Sequence, residues 1–316
     1  MEVIEAVTRR RWGVRREFVA RALPHPTPFD LAPPPWATRL LEGGSRSLLV
    51  RECPLSVAVR DAERFSLASA RVAGAGRLDD ADFERAAADI YVALADVLRA
   101  RPGRHPVRFW NHIPGIRKPS ATEGIDRYMV FNAGRFAACS DWFGSPDAFD
   151  RLLPTASGVG HDGSDLVVHV LAGDAPGTAV ENPRQVPSYR YSRRFGPRPP
   201  CFARATTVNW DDAGRTILVG GTASIRGEET VHAGNLMAQT RETFDNLAAL
   251  VRAAGARGLQ SFEALRVYYV HEADRRTIER TVSEAFPDLA DVEYARADLC
   301  RSELLVEIEG VARSER

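Results

Sequence analysis

The sequence predicts an α/β protein, layered in the α+β manner and divided into two domains. Three observations carry that expectation. Strand-like and helix-like segments alternate through the last hundred or so of the 316 residues. A long amphipathic segment lies near residue 90, and a proline- and arginine-rich stretch separates the two halves near residue 190. The chain is long enough for each domain to bury a core.

In chain order, PHPTPFDLAPPP (24–35) holds too many prolines for a helix or central strand and reads as an extended surface crossing. DDADFERAAADIYVALADVLRA (79–100) opens with acidic residues and repeats Ile90, Leu94, Val97 and Leu98 at helical period. Pro102 and Gly103 end that helix. NPRQVPSYRYSRRFGPRPP (182–200), with five arginines, reads as the irregular connection between domains, its charge facing the cleft between them. Domains of 1–195 and 196–316 follow. In the second, RATTVNW (204–210) and RTILVGG (215–221) form two strands joined by a DDAG turn. A helix over 234–255, a strand at 263–270, a helix at 274–285 and strands at 292–296 and 304–311 complete a β-β-α-β-α-β-β sheet with helices on one face.

Composition excludes several classes. Lys plus Arg and Asp plus Glu are both 42, so no net field recruits nucleic acid or an anionic membrane. All the basic residues but Lys118 are arginine, the better fork for carboxylates. The first twenty residues lack an uninterrupted apolar stretch, and no run is long enough to span a bilayer, so a soluble cytoplasmic protein is expected. Cys53, Cys139, Cys201 and Cys300 show neither zinc nor disulfide spacing, and the seven histidines form no ligand pair; no metal or other cofactor is expected.

Four features could carry chemistry. Around residue 130, Ile125, Met129, Ala133, Phe136 and Ala137 make an apolar helical stripe, and Tyr128, Asn132 and Arg135 make a second. A phenol, an amide and a guanidinium in a row suit a small anion; the same spacing also describes a solvated face. The glycine-rich GGTASIRGEETVHAG (220–234) allows close backbone approach, and amides near Gly234 to Leu236 could meet an anion, though the Walker lysine and the dinucleotide glycine spacing are absent. Cys300 is a candidate nucleophile or a buried inert thiol. In the apolar strand LLVEIEGV, Glu307 and Glu309 share a face, so Glu307 is either ion-paired or a general acid whose apolar surroundings lift its pKa.

Two stretches, GTASIRGEETVHAGNLMAQTRETFDNL and VEYAR with LLVEIEGVA, resemble the RidA/YjgF family over roughly residues 204–312. Leu289 stands where RidA-type imine deaminases carry their carboxylate-binding arginine, which removes the anchor of a deaminase reading. The whole chain is more similar to the chorismatases, which have a RidA-like C-terminal domain. The carrying residues are WNHIPGI (110–116), DRYMVFNAGR (126–135), the 221–227 turn, AQTRETFDNL (238–247) and the run from Cys300 to Gly310. The resemblance implies that Glu307 is the catalytic glutamate and that Cys300 favours 3-hydroxybenzoate as the ring product. Alanine at that position tends toward a dihydroxycyclohexadienoate, and Ala223 is suspected as a second discriminating position. Chorismate is a dianion, so Arg135 with Arg127, Arg190 or Arg204 is expected to fork its carboxylates, with Tyr128, Asn132, Tyr189, Gly221 and Ala223 lining the site. No cofactor is implied, and the partner is the small-molecule substrate alone; oligomeric state stays open, with a monomer compatible. A non-catalytic RidA-like metabolite-binding protein is the alternative of a different class.

Overall fold

A computed structural model of the chain describes residues 19–21, 31–50, 54–211 and 214–314. Cys53, the N-terminal stretch inspected for a leader, most of the proline-rich crossing and the middle of the DDAG turn lie outside the described residues.

The N-terminal elements are β1 (Val19–Arg21), α1 (Pro35–Arg39), β2 (Ser45–Val50), β3 (Leu55–Asp61), β4 (Phe65–Val72), α2 (Asp80–Arg99), β5 (His105–Pro114), α3 (Arg127–Phe143), α4 (Phe149–Leu152), β6 (Thr155–His161) and β7 (Leu166–Gly173). They form a seven-stranded sheet in the order β1-β2-β3-β4-β7-β5-β6. Its pairings are antiparallel except β5 with β6, which α3 connects in the crossover that parallel neighbours require. Asp79 caps α2 by accepting from the Asp82 amide, and Asp126 caps α3 by accepting from Met129.

The remaining elements are β8 (Thr178–Val180), β9 (Ala205–Asp211), β10 (Gly214–Ala223), β11 (Ile225–Arg226), β12 (Glu229–Thr230), α5 (Leu236–Ala253), β13 (Phe262–Tyr269), α6 (Arg275–Ala285), β14 (Val292–Arg296) and β15 (Val306–Ser314). β11 and β12 form a small hairpin, and the others a six-stranded sheet ordered β14-β13-β15-β10-β9-β8. From β9 onward the expected β-β-α-β-α-β-β order holds, with the hairpin added. β8 pairs with β9, so the second sheet takes in residues ahead of the 195/196 boundary.

The layers run helix, sheet, sheet, helix. One core joins α2 and α3 to the first sheet through Phe83, Ile90, Leu94, Phe109 and Phe131. A second joins α5 and α6 to the second sheet through Leu247, Val251, Ile278, Val306 and Ile308. Between them the bare faces of the two sheets pack on each other through Leu67, Trp110, Leu171, Trp210, Leu218 and Val311. Alternation along β15 therefore sends Val306, Ile308 and Ala312 to the helices, and Glu307, Glu309 and Val311 to the inter-sheet layer. No helix among the described residues is long and apolar enough to cross a membrane.

The α3 stripes correct the sequence reading. Val130, Phe131, Ala138 and Cys139 face the core, while Ala137 is exposed. Asn132 and Arg135 are buried too, at 0% and 3% exposure, which rules out the solvated face. The helix is covered on both sides, so spacing alone could not separate its buried residues from its surface.

Candidate active site

Each half of the chain contributes to a cavity of about 290 Å³ near one end of the inter-sheet layer. Glu307 stands at its floor. The carboxyl comes off β15, is 5% exposed as a residue, and makes no hydrogen bond or ion pair among the described residues. Burial, reinforced by the charge of Glu309, pushes its pKa up to about 8, while Arg108 and Arg204 pull the other way. The acid is therefore largely protonated at neutral pH.

The neighbouring backbone is shaped around it. Ala223 of β10 is the register partner of Glu307, and the β10–β15 pairing is interrupted between Val219 and Thr222. A Cβ on Gly221 would collide with Glu307 Oε1, so only glycine leaves room for the acid in this position. Ala223 closes the same wall and is 3% exposed.

Two arginines border the cavity. Arg135 from α3 lies over the rings of Tyr91 and Phe202, at 5.4 and 5.7 Å, and its Nε finds no hydrogen-bond partner. It has no carboxylate partner among the described residues. Arg204, just ahead of β9, donates from Nη2 to the Val186 carbonyl (3.0 Å) and the Tyr191 hydroxyl (2.7 Å), and its Nε is also unpartnered. Guanidinium groups kept from water without an ion-paired carboxylate form a ready receptor for an anion.

Tyr128 lines the cavity, with burial holding its phenol protonated far above the ordinary range. Asn132 is wholly buried beside it, neither amide atom in a well-formed hydrogen bond, and lies behind the cavity wall. Cys300 reaches the cavity from the loop before β15. Burial and the nearby Glu307 push its thiol up to about 12, which leaves it uncharged and a poor nucleophile.

Other expected contacts do not assemble here. Arg127 turns away, donating to the carbonyls of Ala75 (3.3 Å), Gly76 (3.0 Å) and Leu78 (3.1 Å) and covering the Phe83 ring. Its role is to tie α3 to the turn before α2, where those carbonyls have no strand partner. Arg190 is exposed and stacks on Tyr189, which packs against the first core; neither lines the cavity. The amides at 234–236 belong to a helix start capped by the side chain of Asn235, which accepts from Ala238.

Sequence reasoning missed Tyr191, Phe202 and Arg301 on the cavity wall. Arg301 lies 4.1 Å over the Phe195 ring and donates to the Glu228 carbonyl at 2.8 Å, joining the 188–202 connection to the β11–β12 hairpin. The available signal was the aromatic and arginine density of YRYSRRFGPRPPCFAR (189–204). Also missed was the buried set around Glu309, which accepts from Arg108 Nη2 (2.8 Å), Trp110 Nε1 (2.8 Å) and the Ser157 hydroxyl.

A protonated carboxyl facing a small cavity bordered by carboxylate-free arginines defines an acid–base site for a small anionic substrate. The comparisons agree in kind. The family model described as "Chorismatase FkbO/Hyg5-like, N-terminal" matches residues 52–172. A 3-hydroxybenzoate synthase of Streptomyces hygroscopicus is 36% identical over 263 residues, covering 79% of this chain and 74% of that protein. A chorismatase of Streptomyces rapamycinicus is 34% identical over 253 residues, covering 77% and 72%. Among solved structures a chorismatase crystal structure superposes with a TM-score of 0.72 at 29% identity, over 81% of this chain and 77% of that one. The chain belongs to the chorismatase family.

Proposed function

We propose that this chorismatase converts chorismate to pyruvate and 3-hydroxybenzoate, with Glu307 as general acid. One observation carries the reading: a neutral carboxyl without a hydrogen-bond or ion-pair partner among the described residues faces a cavity that also holds Arg135 and Arg204. An enol ether is unreactive until its methylene carbon takes a proton. Glu307 donates that proton, the resulting oxocarbenium ion cleaves at the ring carbon–oxygen bond, and pyruvate leaves. Capture of the ring cation by the adjacent hydroxyl, whose proton returns to Glu307, gives an epoxide that rearranges to the phenol. The products together have the atoms of chorismate, so no water or cofactor is consumed.

In this reading the N-terminal half supplies Arg135 and Tyr128 and the C-terminal half supplies Glu307 and Cys300, so the 195/196 division crosses the site. The uncharged Cys300 acts by occupying space beside the cation rather than by attacking it. Water attack would give the dihydroxycyclohexadienoate instead. That second reading rests on Ala223, whose methyl group shares the cavity with Cys300.

The test is incubation of purified protein with chorismate, chromatography of the ring product and coupled measurement of pyruvate. Mainly 3-hydroxybenzoate is expected, with pyruvate in equal amount. Cys300→Ala is expected to keep releasing pyruvate while its ring product shifts toward the dihydrodiol. A ring product that is only dihydrodiol from the native protein, or an unchanged ratio in Cys300→Ala, would transfer the product assignment to the second reading.

A further inference from the structure

The inter-sheet layer holds two carboxyls two residues apart on one face of β15, with two buried guanidiniums within reach of their strand. Arg266 of β13, the register partner of Glu309, is held by Glu293 at 2.7 and 2.9 Å, which leaves Arg108, 1% exposed, as the one without a carboxylate outside β15. A buried arginine needs an anionic partner, and either glutamate could supply it. The hydrogen bonds are one-sided. Arg108 Nη2 donates to Glu309 at 2.8 Å and to Ser157 Oγ at 2.6 Å, and Nη1 to the Phe109 carbonyl at 3.0 Å. Trp110 Nε1 takes the other oxygen of Glu309 at 2.8 Å, and the Ser157 hydroxyl donates to the oxygen that Arg108 holds. Glu309 thus accepts three donors from β5 and β6, while Glu307 accepts none among the described residues.

From this geometry we infer that Glu309 is a positioning residue for the reaction: by engaging Arg108 it keeps the guanidinium from pairing with Glu307, which preserves the acid in its proton-bearing form. The inference rests on Glu307 being the proton donor and adds what keeps the proton there. The groups facing Glu307 from each packed element are consistent with it. Arg108 on β5, Arg135 on α3 and Arg204 ahead of β9 are the cations, Tyr128 on α3, Cys300 before β15 and Tyr268 on β13, the register partner of Glu307, are uncharged, and Glu309 is the neighbouring anion. Of the cations, Arg108 pulls hardest on Glu307, ahead of Arg204, and its Nη2 is held by the Glu309 carboxylate.

Glu309→Gln removes the anion and frees Arg108 to turn to the acid. The pH at which Glu307 loses its proton is then expected to fall by about 1–3 units, the effect of one adjacent opposite charge. Two readouts follow it. The first is the upper pH limit of kcat/KM for pyruvate release. The second is the infrared carbonyl stretch of the protonated carboxyl, assigned by its loss in Glu307→Gln and titrated without substrate. In the double variant Arg108→Gln/Glu309→Gln the competing cation is gone, and the midpoint is expected to return toward the native value. A purely structural Glu309 would lower the melting temperature and the rate at every pH with the midpoint unmoved, and the double variant would rescue nothing; either result overturns the inference. If Glu309→Gln does not fold, Trp110→Phe, which removes one of the three donors and leaves the charge pair, is expected to move the midpoint down by a smaller step, and no movement overturns the inference as well. Because the infrared titration needs no chorismate, an inactive native protein would count against the proposed function without deciding this point.

Discussion

At the scale of single residues, the pH dependence is set by a buried carboxyl, Glu307. Glu307 is raised from 4.5 to about 8, so the folded chain holds a proton that the unfolded chain releases above 4.5. Stability from this group is full below pH 4.5 and is lost progressively between pH 4.5 and 8, by about 3 kcal/mol at pH 7. Glu307→Gln is expected to raise the melting temperature near pH 8 and change it little near pH 4, measured by calorimetry at both. Catalysis follows the same proton, and kcat/KM of the native protein is expected to fall as pH rises through about 8. Arg135 is the proposed counterpart on the binding side. Truncating it to alanine leaves a substrate carboxylate unpaired and is expected to weaken binding by roughly 2–5 kcal/mol. A raised Michaelis constant would agree, whereas unchanged kinetics with a lowered melting temperature would make Arg135 structural. Glu307 was legible in sequence because a carboxylate interrupts an apolar strand. Arg127 and Arg135, eight positions apart on one helix, were not separable, because what distinguishes them is the set of carbonyls at Ala75, Gly76 and Leu78, on a distant turn, that accept from Arg127.

At the scale of elements, the pairing of β10 with β15 decides where the acid stands. The interruption between Val219 and Thr222 brings Gly221 against Glu307, and the contact of an added Cβ would be with the far end of a flexible side chain. Gly221→Ala is therefore expected to fold and to lose activity by about 10²-fold or more, the loss being that of a displaced acid. Circular dichroism and pyruvate kinetics on the same preparation check both halves, and near-native turnover would show that Glu307 acts from another rotamer. Strands β9, β10, β13, β14 and β15 were readable because one face of their sheet meets helices and is largely apolar at every second position, whereas the β11–β12 hairpin lies outside that sheet. β5 was not. In HPVRFWNHIP both faces are buried, and its inter-sheet face carries Arg108, Trp110 and His112, so no alternation of apolar with polar residues marks it as a strand.

At the scale of the molecule, two sheets meet face to face and the proposed site lies at the edge of that contact. The sequence led to an interdomain cleft lined by the 182–200 connection, and that connection does supply Tyr191, Phe195 and Pro200 to the cavity wall. The packing of sheet on sheet was hidden because Arg108, Ser157, Glu307 and Glu309 occupy positions where an apolar interface would have announced itself. In the proposed reading those same polar residues make the interface a place for proton chemistry. The central claim is that Glu307 delivers the proton that releases pyruvate, and its most direct test is the single-turnover rate of pyruvate formation from chorismate by native protein and by Glu307→Gln, with substrate affinity measured on both. The expected result is a fall of at least ~10²-fold in rate with affinity retained; pyruvate release by Glu307→Gln at near the native rate would contradict it.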